Sequence, residues 1–221
     1  MNVFSFTLYG SNPKYVKGMI ENVNMIQQSF PTWHVYIYYF DIPRWAETVL
    51  RSSPNVKMIP AEFHDIRARM ERYYPIDDPN VTVMIVRDSD SRIHERDAWC
   101  IRQFIESDKV LHMIRDHPHH NWKIMSGLWG LKKAGVPFSF RDTVHAYISS
   151  HKIIWCSDMD LLGDTVYPLL ANRSLVHGMI RMSTGETVVD IPFPVVNHDF
   201  CGQVMDYPDG SDVPQHMYLD R

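Results

Sequence analysis

Two aspartates one residue apart, Asp88 and Asp90, directly follow the strand-like segment at residues 81–86. A run of Val, Met and Ile bounded by polar residues is typical of a buried strand, so both carboxylates are expected where the strand leaves the sheet. Side chains at i and i+2 of an extended segment point to the same side, so both can reach one hard divalent ion and share it with a diphosphate. The spacing indicates metal-nucleotide chemistry, although Asp and Ser also cluster in turns and helix caps.

A second polar group, Arg115, Asp116 and His117, follows the strand predicted at residues 110–114. An Arg beside an Asp suits carbohydrate, whose hydroxyls both donate and accept hydrogen bonds, and suits phosphate oxygens as well. An exposed loop ion pair is the alternative. Zinc binding by His117, His119 and His120 is not favoured, because they crowd around a proline and no thiolate accompanies them.

The elements that must position these residues alternate between strands and helices. Residues 3–9, 34–40, 56–59, 81–86, 110–114 and 174–180 are predicted strands, and residues 13–29, 43–50, 63–74, 95–107 and 158–168 are predicted helices. This alternation predicts an α/β fold with a mostly parallel sheet flanked by helices. Ligands of such sheets bind outside the carboxyl ends of the strands, which is where Tyr9 and Asp88 fall. The small residues at 124–130 predict a close approach of the backbone, Gly127 included, to a ligand.

Composition bounds the function further. With 221 residues, 45% of them hydrophobic, the chain is long enough for one large domain. The net charge of −4 and the absence of a Lys/Arg run argue against a nucleic-acid partner. Three isolated cysteines fit a reducing compartment, and no segment has the pattern of a leader or a membrane span, so we expect a cytoplasmic protein.

Five sequence blocks together resemble the metal-dependent glycosyltransferases of the GT-A fold. They lie at residues 6–10, 86–92, 112–118, 126–130 and 158–168, and the Arg-Asp-Ser-Asp-Ser and Arg-Asp-His-Pro blocks are the most specific. The nearest patterns are those of viral capsid-glycan transferases and related bacterial and phage enzymes. The resemblance implies one Rossmann-like GT-A domain over residues 1–221, with a nucleotide-binding half at 1–115, a donor-sugar and acceptor half at 116–212, and a tail or linker at 213–221. Further domains after it would be compatible with this division.

The resemblance also implies ligands. The donor would be a UDP-sugar carrying a hexose or a deoxyhexose such as rhamnose, and the acceptor an oligosaccharide or a glycoprotein glycan. Mn²⁺ or Mg²⁺ would bridge Asp88, Asp90 and the diphosphate, and stabilise the leaving charge. Retaining members usually recruit a late histidine as a third ligand. His177 is the preferred candidate here and His198 the second choice.

Asp158 corresponds to the Asp of an Asp-Gln pair that precedes Tyr-Pro in related sequences, although Met159 replaces the Gln. It would face the donor sugar, or else only cap a helix. The implied catalytic residues are Asp158, Asp90, Arg115 and Asp116. The implied nucleotide-sugar contacts are Thr7, Tyr9, Gly10, Asn12, Arg72, Arg87, Asp88, Ser89, Asp90 and Gly127. Trp122 and Trp129 are candidate platforms for acceptor sugars, or core residues.

Two other classes of function remain open on the sequence. A phosphatase of the haloacid-dehalogenase type also uses two aspartates in this spacing, but its motif follows the first strand rather than the fourth. A non-catalytic carbohydrate-binding domain would use the same fold without turnover.

Overall fold

The computed structural model describes residues 1–196, 199–206 and 213–214. Its centre is an eight-stranded sheet with the order β3-β2-β1-β4-β6-β5-β7-β8. These strands are β1 Asn2–Tyr9, β2 His34–Phe40, β3 Val56–Pro60, β4 Val83–Arg87, β5 Leu111–Arg115, β6 Leu128–Lys132, β7 Ser174–Gly178 and β8 Thr187–Val189. A two-stranded pair, β9 Met205–Asp206 and β10 Val213–Pro214, is antiparallel.

Helices cover both faces of the large sheet. They are α1 Pro13–Ser29, α2 Arg44–Ser52, α3 Glu95–Glu106, α4 Phe140–Ser150, α5 Ser157–Leu161 and α6 Tyr167–Leu170. Short helical turns of the 3₁₀ type span Ile66–Asp77, Lys133–Gly135 and Ala171–Arg173, and a π-helical turn spans Leu162–Val166. One core packs α1, α2 and α3 against the sheet, and a second core lies on the opposite face beneath the Ile66–Asp77 helix and α4.

The prediction of a mostly parallel sheet is confirmed. β1 runs parallel to both β2 and β4, and β7 runs parallel to β5 and β8. The sequence did not predict β6 or the short strands β8, β9 and β10. Of these, β6 is antiparallel to β4 and β5 and lies between them. Because β6 comes from the second half of the chain and its neighbours from the first, the two predicted halves share one sheet.

Two predicted helices differ in form from those observed. The segment predicted as a helix at residues 63–74 is a 3₁₀ helix at Ile66–Asp77, with Pro75 inside it. Proline has no backbone N–H and its ring crowds the preceding turn, which disfavours a regular α-helix there. The helix predicted at 158–168 is α5, a π-helical turn and α6 in succession.

Candidate active site

A cleft of about 370 Å³ opens at the carboxyl ends of β1 and β4. β1 and β4 are neighbours in the sheet, which continues from β1 to β2 on one side and from β4 to β6 on the other. Such a switch point leaves a crevice beyond the strand ends, where α/β proteins bind their ligands. The side chains around the cleft include Thr7, Tyr9, Tyr15, Arg69, Arg72, Asp88, Ser89, Asp90, Trp155 and Asp158.

Asp88 and Asp90 both border this cleft, directly after β4. The Asp88 side chain is 46% exposed and that of Asp90 is 15% exposed. Burial and then the negative charge of Asp88 raise the pKa of Asp90 to about 6. Two carboxylates this close are stabilised by a cation between them, and hard divalent ions prefer oxygen ligands of this kind.

Gly127, in the turn before β6, leaves room for the Asp88 carboxylate. A Cβ atom at position 127 would overlap both carboxylate oxygens of Asp88. The close backbone approach predicted for residues 124–130 therefore exists, but it is an approach to the side chain of Asp88. Gly127 thus affects the cleft by leaving the Asp88 carboxylate free to occupy its observed position.

Arg72 joins Asp88 to Asp158. Its guanidinium contacts Asp88 through Nη1, and its Nη2 lies 3.4 Å from Asp158 Oδ2. Although burial lowers the pKa of Arg72, the charges of Asp88 and Asp158 raise it overall above the ordinary value. Arg72 is therefore a fixed cation that holds two carboxylates at the same cleft.

Asp158 lies just inside its helix rather than at the N-cap position. α5 begins at Ser157 with Cys156 in the cap position, so Asp158 lies inside the first turn. Its buried carboxylate is turned toward the arginines, with Arg69 Nη2 3.7 Å from Oδ1. Oδ1 also accepts a hydrogen bond from the Met159 amide at 3.1 Å, so Asp158 both satisfies a donor of the first turn and faces the arginines.

The start of α1 forms another end of the cleft lining and approaches Asp90. Lys14 Nζ lies 4.0 Å from Asp90 Oδ2, and burial together with the charge of Asp90 raises the pKa of Tyr15. Tyr9 borders the same end, its ring stacked on Phe40 with centroids 4.9 Å apart. Thr7 donates its hydroxyl to the Ala68 carbonyl at 3.2 Å, which ties β1 to the Ile66–Asp77 helix.

Three predicted ligand-binding residues are instead buried structural ions. Arg87 is fully buried and forms a bidentate ion pair with Asp97 at 2.7 and 2.8 Å. Arg115 is also fully buried, with Nη2 2.9 Å from Glu186. Asp116 accepts from Arg96 at 2.6 Å and from the Cys201 amide at 2.9 Å. Their charges are matched inside the protein, because an unmatched buried charge would be costly.

The structure does not bring His177 to the two aspartates. It lies in β7, which β5 and β6 separate from β4, and its Nδ1 is 2.9 Å from His112 Nε2. Its ring is fully buried and meets Trp99 edge-to-face, and burial lowers its pKa to about 4. This placement corrects the prediction of His177 as a third metal ligand. His198 lies outside the described residues.

Other predicted contacts shape the loop or the core. Asn12 caps α1, accepting from the Lys14 amide at 3.0 Å, and Gly10 turns the chain there with φ of +74°. Trp129 is fully buried against Tyr73, and so is a core residue rather than a sugar platform. Ser89 remains at the cleft between the two aspartates.

The sequence did not indicate Arg69, Trp155, Lys14 or Tyr15. Lys14 and Tyr15 follow the predicted cap of α1, so their position near the first strand exit was an available signal. Arg69 and Trp155 are 86 residues apart in sequence and come together only in the fold, where Arg69 donates a hydrogen bond to the Trp155 carbonyl.

No divalent-ion cluster of three or more His, Cys, Asp or Glu side chains forms among the described residues. Asp88 and Asp90 nevertheless fit a hard cation, because both are oxygen ligands at one cleft and burial together with the charge of Asp88 raises the pKa of Asp90. The remaining positions of such an ion suit diphosphate oxygens and water, as is usual for ions of this type.

No model of a protein family matches the sequence, and no curated protein sequence matches it. Solved structures do. A glycosyltransferase involved in glycosylation of the major capsid of PBCV-1 aligns with a TM-score of 0.52 at 15% identity, over 80% of this chain and 82% of that one. The galactosyltransferase LgtC, solved with donor and acceptor sugar analogues, gives 0.51 at 10% identity over 80% and 73%. A mannosyltransferase from Pyrobaculum calidifontis, in complex with GDP-Man and Mn²⁺, gives 0.51 at 10% identity over 86% and 56%.

These likenesses establish the class of fold: the chain has the GT-A fold of nucleotide-diphospho-sugar transferases. More particularly, the PBCV-1 enzyme and LgtC each align over most of their own length, so the likeness extends over most of each chain.

Proposed function

We propose that this protein is a glycosyltransferase that moves a sugar from a UDP-sugar to a glycan acceptor with the help of Mn²⁺ or Mg²⁺. The observation that carries the proposal is the pair Asp88 and Asp90 in a cleft at the switch point of a GT-A sheet. Cleaving the bond between a sugar and a nucleoside diphosphate leaves a highly charged group, and two carboxylates at this place suit an ion that would neutralise it.

The two ends of the cleft suit the two parts of the donor. At the end formed by β1 and α1, Tyr9 and Thr7 would contact the base and ribose, and Lys14 would offer a positive charge to the phosphates. At the other end, Arg72 holds Asp158 where the donor sugar would lie. Asp158 would accept hydrogen bonds from sugar hydroxyls or stabilise positive charge that develops at the anomeric carbon.

The ion, when bound by Asp88 and Asp90, would supply positive charge to the departing diphosphate. The chain's own residues would do the rest: Gly127 keeps space for Asp88, Arg72 keeps Asp88 and Asp158 in place, and the burial of Asp90 limits water at the site. A retaining course and a hexose or deoxyhexose donor are proposed on the resemblance of the sequence blocks.

The phosphatase alternative loses support. Its nucleophilic aspartate would follow the first strand, but β1 ends at Tyr9 and is followed by Gly10 and Ser11. Asp88 follows β4 instead and is engaged by Arg72. A carbohydrate-binding domain without turnover remains an outcome of the test.

A donor screen tests the function. The protein is incubated with UDP-, GDP- and dTDP-sugars and Mn²⁺, and release of the nucleoside diphosphate is measured with and without glycan acceptors. We expect release from a UDP-sugar, reduced by about two orders of magnitude or more in Asp88→Asn and Asp90→Asn. Asp108→Asn, at an exposed aspartate outside the cleft, is the matched control.

Binding of a nucleotide sugar with no release of nucleotide would show a binding domain instead. If no nucleotide sugar binds and the two aspartate variants behave like the control, the proposed function fails. Nuclear magnetic resonance of the first product would determine whether the anomeric configuration is retained.

A further inference from the structure

Trp155 is a large aromatic side chain left open to solvent at the cleft. It is 67% exposed and borders the cleft, whereas Trp129 and Trp33 are 0% and 7% exposed. The indole ring has one of the largest apolar surfaces of any side chain, and an exposed ring gains no stabilisation from burying that surface. Its position at the border of a cleft that also holds charged side chains therefore calls for a ligand with an apolar face.

The ring is held in place from one side. The guanidinium carbon of Arg69 lies 4.5 Å from the centre of the indole ring, and Arg69 also donates to the Trp155 carbonyl oxygen. Cation–π contact and a backbone hydrogen bond from the same arginine fix the ring before any ligand arrives. Such preorganisation lowers the entropic cost of binding.

The surroundings of Trp155 match a sugar ring. A pyranose has a face of C–H groups that stacks on an aromatic ring and an edge of hydroxyls that both donate and accept hydrogen bonds. Asp158 can accept from such hydroxyls and Arg69 can donate to them, and the two side chains lie 3.7 Å apart. The apolar ring of Trp155 and the charged groups of Asp158 and Arg69 therefore lie side by side, as recognition of a sugar ring requires.

A continuous line of side-chain contacts helps to decide whether this sugar ring would belong to the donor or to the acceptor. It runs from Asp88 to Arg72, from Arg72 to Asp158, from Asp158 to Arg69 and from Arg69 to Trp155. The donor diphosphate belongs at the Asp88 end of this line, beside Asp90 and Lys14. Three side chains, Arg72, Asp158 and Arg69, separate Trp155 from Asp88 along the line, so Trp155 is left for a second substrate rather than for the diphosphate.

We propose that the indole ring of Trp155, held by Arg69, is the platform on which the acceptor's sugar ring stacks. This inference rests on the proposed glycosyl transfer, and it assigns Trp155 to specificity for the acceptor. A nucleobase is the other flat ligand that could stack on the indole, and the experiments separate the two.

The first test observes binding without catalysis. The chain has six tryptophans, so 5-fluorotryptophan labelling gives six ¹⁹F signals, with that of Trp155 assigned by its loss in Trp155→Phe. Methyl glycosides of hexoses and deoxyhexoses are titrated with UDP and Mn²⁺ present. A saturable shift of the Trp155 signal by a glycoside, with that of exposed Trp45 on α2 unmoved, supports the proposal. A shift caused by UDP alone, or no shift with any glycoside, overturns it.

The second test uses kinetics with the donor and acceptor found in the donor screen. Trp155→Ala is expected to raise the acceptor KM about fivefold and to raise it more than the donor KM, because stacking on an aromatic ring contributes on the order of 1 kcal/mol. Trp155→Phe should recover part of the loss, and Trp45→Ala should match the wild type. An equal rise of both KM values would assign Trp155 to the donor and overturn the inference.

Failure of this inference and failure of the proposed function are distinguishable. If wild-type protein releases UDP but Trp155 neither senses glycosides nor affects the acceptor KM, only the platform is refuted. If no nucleotide sugar is bound or cleaved, the transferase proposal is refuted, whatever the ¹⁹F signals show.

Discussion

Asp158, at the residue scale, shows how one side chain acquires its environment from two others. Arg69 and Arg72 both approach its buried carboxylate, at 3.7 and 3.4 Å. A carboxylate held by two arginines keeps its position when a substrate displaces water from the cleft. Arg72 links it to Asp88, which is why the proposed function assigns Asp158 to the donor sugar.

We expect Asp158→Asn to lower kcat by about a hundredfold or more, because the amide keeps the shape but loses the charge that would face the reacting centre. Asp160→Asn is the matched control, since Asp160 lies in the same turn of α5 and does not border the cleft. Transfer rates at saturating donor, with thermal unfolding to check folding, measure the difference. Equal rates for the two variants would remove Asp158 from the mechanism.

The turn that leads into β6 controls the site at the scale of an element. Because β6 lies between β4 and β5, the turn before it is brought against the aspartates that follow β4. Gly127 is the point of contact, and the atoms that a Cβ would overlap there belong to the Asp88 carboxylate. At Gly178, in contrast, φ is +124° and a Cβ would overlap the backbone of Arg115.

Gly127→Ala is therefore expected to leave the fold intact while the Asp88 carboxylate turns away. Calorimetric titration should show Mn²⁺ affinity lowered by about tenfold or more, as expected when a ligand loses its orientation. Gly163→Ala serves as control, because its new methyl group would find only ordinary contact at 3.5 Å. Gly178→Ala should instead lower the melting temperature. Wild-type Mn²⁺ affinity in Gly127→Ala would contradict the role given to this turn.

The β5–β7 strand pair carries a pH dependence of stability through His112 and His177. Burial lowers the pKa of both rings, that of His177 to about 4, so the folded protein keeps them neutral. The unfolded chain binds protons below its ordinary histidine pKa of about 6.5, so stability is full above that pH and falls as pH drops from about 6.5 to 4. For His177 the loss amounts to roughly 3 kcal/mol.

Chemical denaturation at pH 7 and at pH 5 measures this loss. His177→Phe should show a smaller decrease between the two pH values than the wild type. His34→Phe is the control, because His34 is exposed at the start of β2. An identical pH dependence in His177→Phe and the wild type would refute the coupling.

At the scale of the whole molecule, the site draws on distant parts of the chain. β1, the Ile66–Asp77 helix, the loop after β4, α5 and the segment at Gly202 and Val204 all border one cleft. The late segment is tied down by the Met205 amide, which donates to the Asp90 carbonyl at 2.8 Å. A ligand in the cleft would therefore contact both strands and helices from distant parts of the chain.

In the described part of the chain, none of the helices combines the length and the apolar character needed to cross a membrane.

Binding of UDP with Mn²⁺ is accordingly expected to raise global stability. At a ligand concentration of about 100 times Kd the gain is about 2.7 kcal/mol, which corresponds to a rise in melting temperature of roughly 5–10 °C for a chain of this size. Differential scanning calorimetry with UDP, Mn²⁺, both or neither measures it. The double variant Asp88→Asn with Asp90→Asn should lose the effect, and an unchanged rise there would show that UDP binds elsewhere.

The sequence by itself determined the alternation of strands and helices, the parallel arrangement of most strands, and the place of Asp88 and Asp90 after β4. These features are local: apolar runs, turn residues and the spacing of two carboxylates are properties of short segments, and parallel strands bring their carboxyl ends to one edge. The cap of α1 at Asn12 was predictable for the same reason.

Only the tertiary structure decided which charged residues face the cleft. Arg87 and Arg115 look like ligand-binding arginines beside their motifs, yet Asp97 and Glu186 neutralise them in the interior. His177 ends an apolar run, the position predicted for a metal ligand, but β5 and β6 separate it from the aspartates. Arg69, Arg72, Asp158 and Trp155 form one line although up to 89 residues separate them. Burial and pairing depend on what packs against a side chain, and no local pattern contains that information.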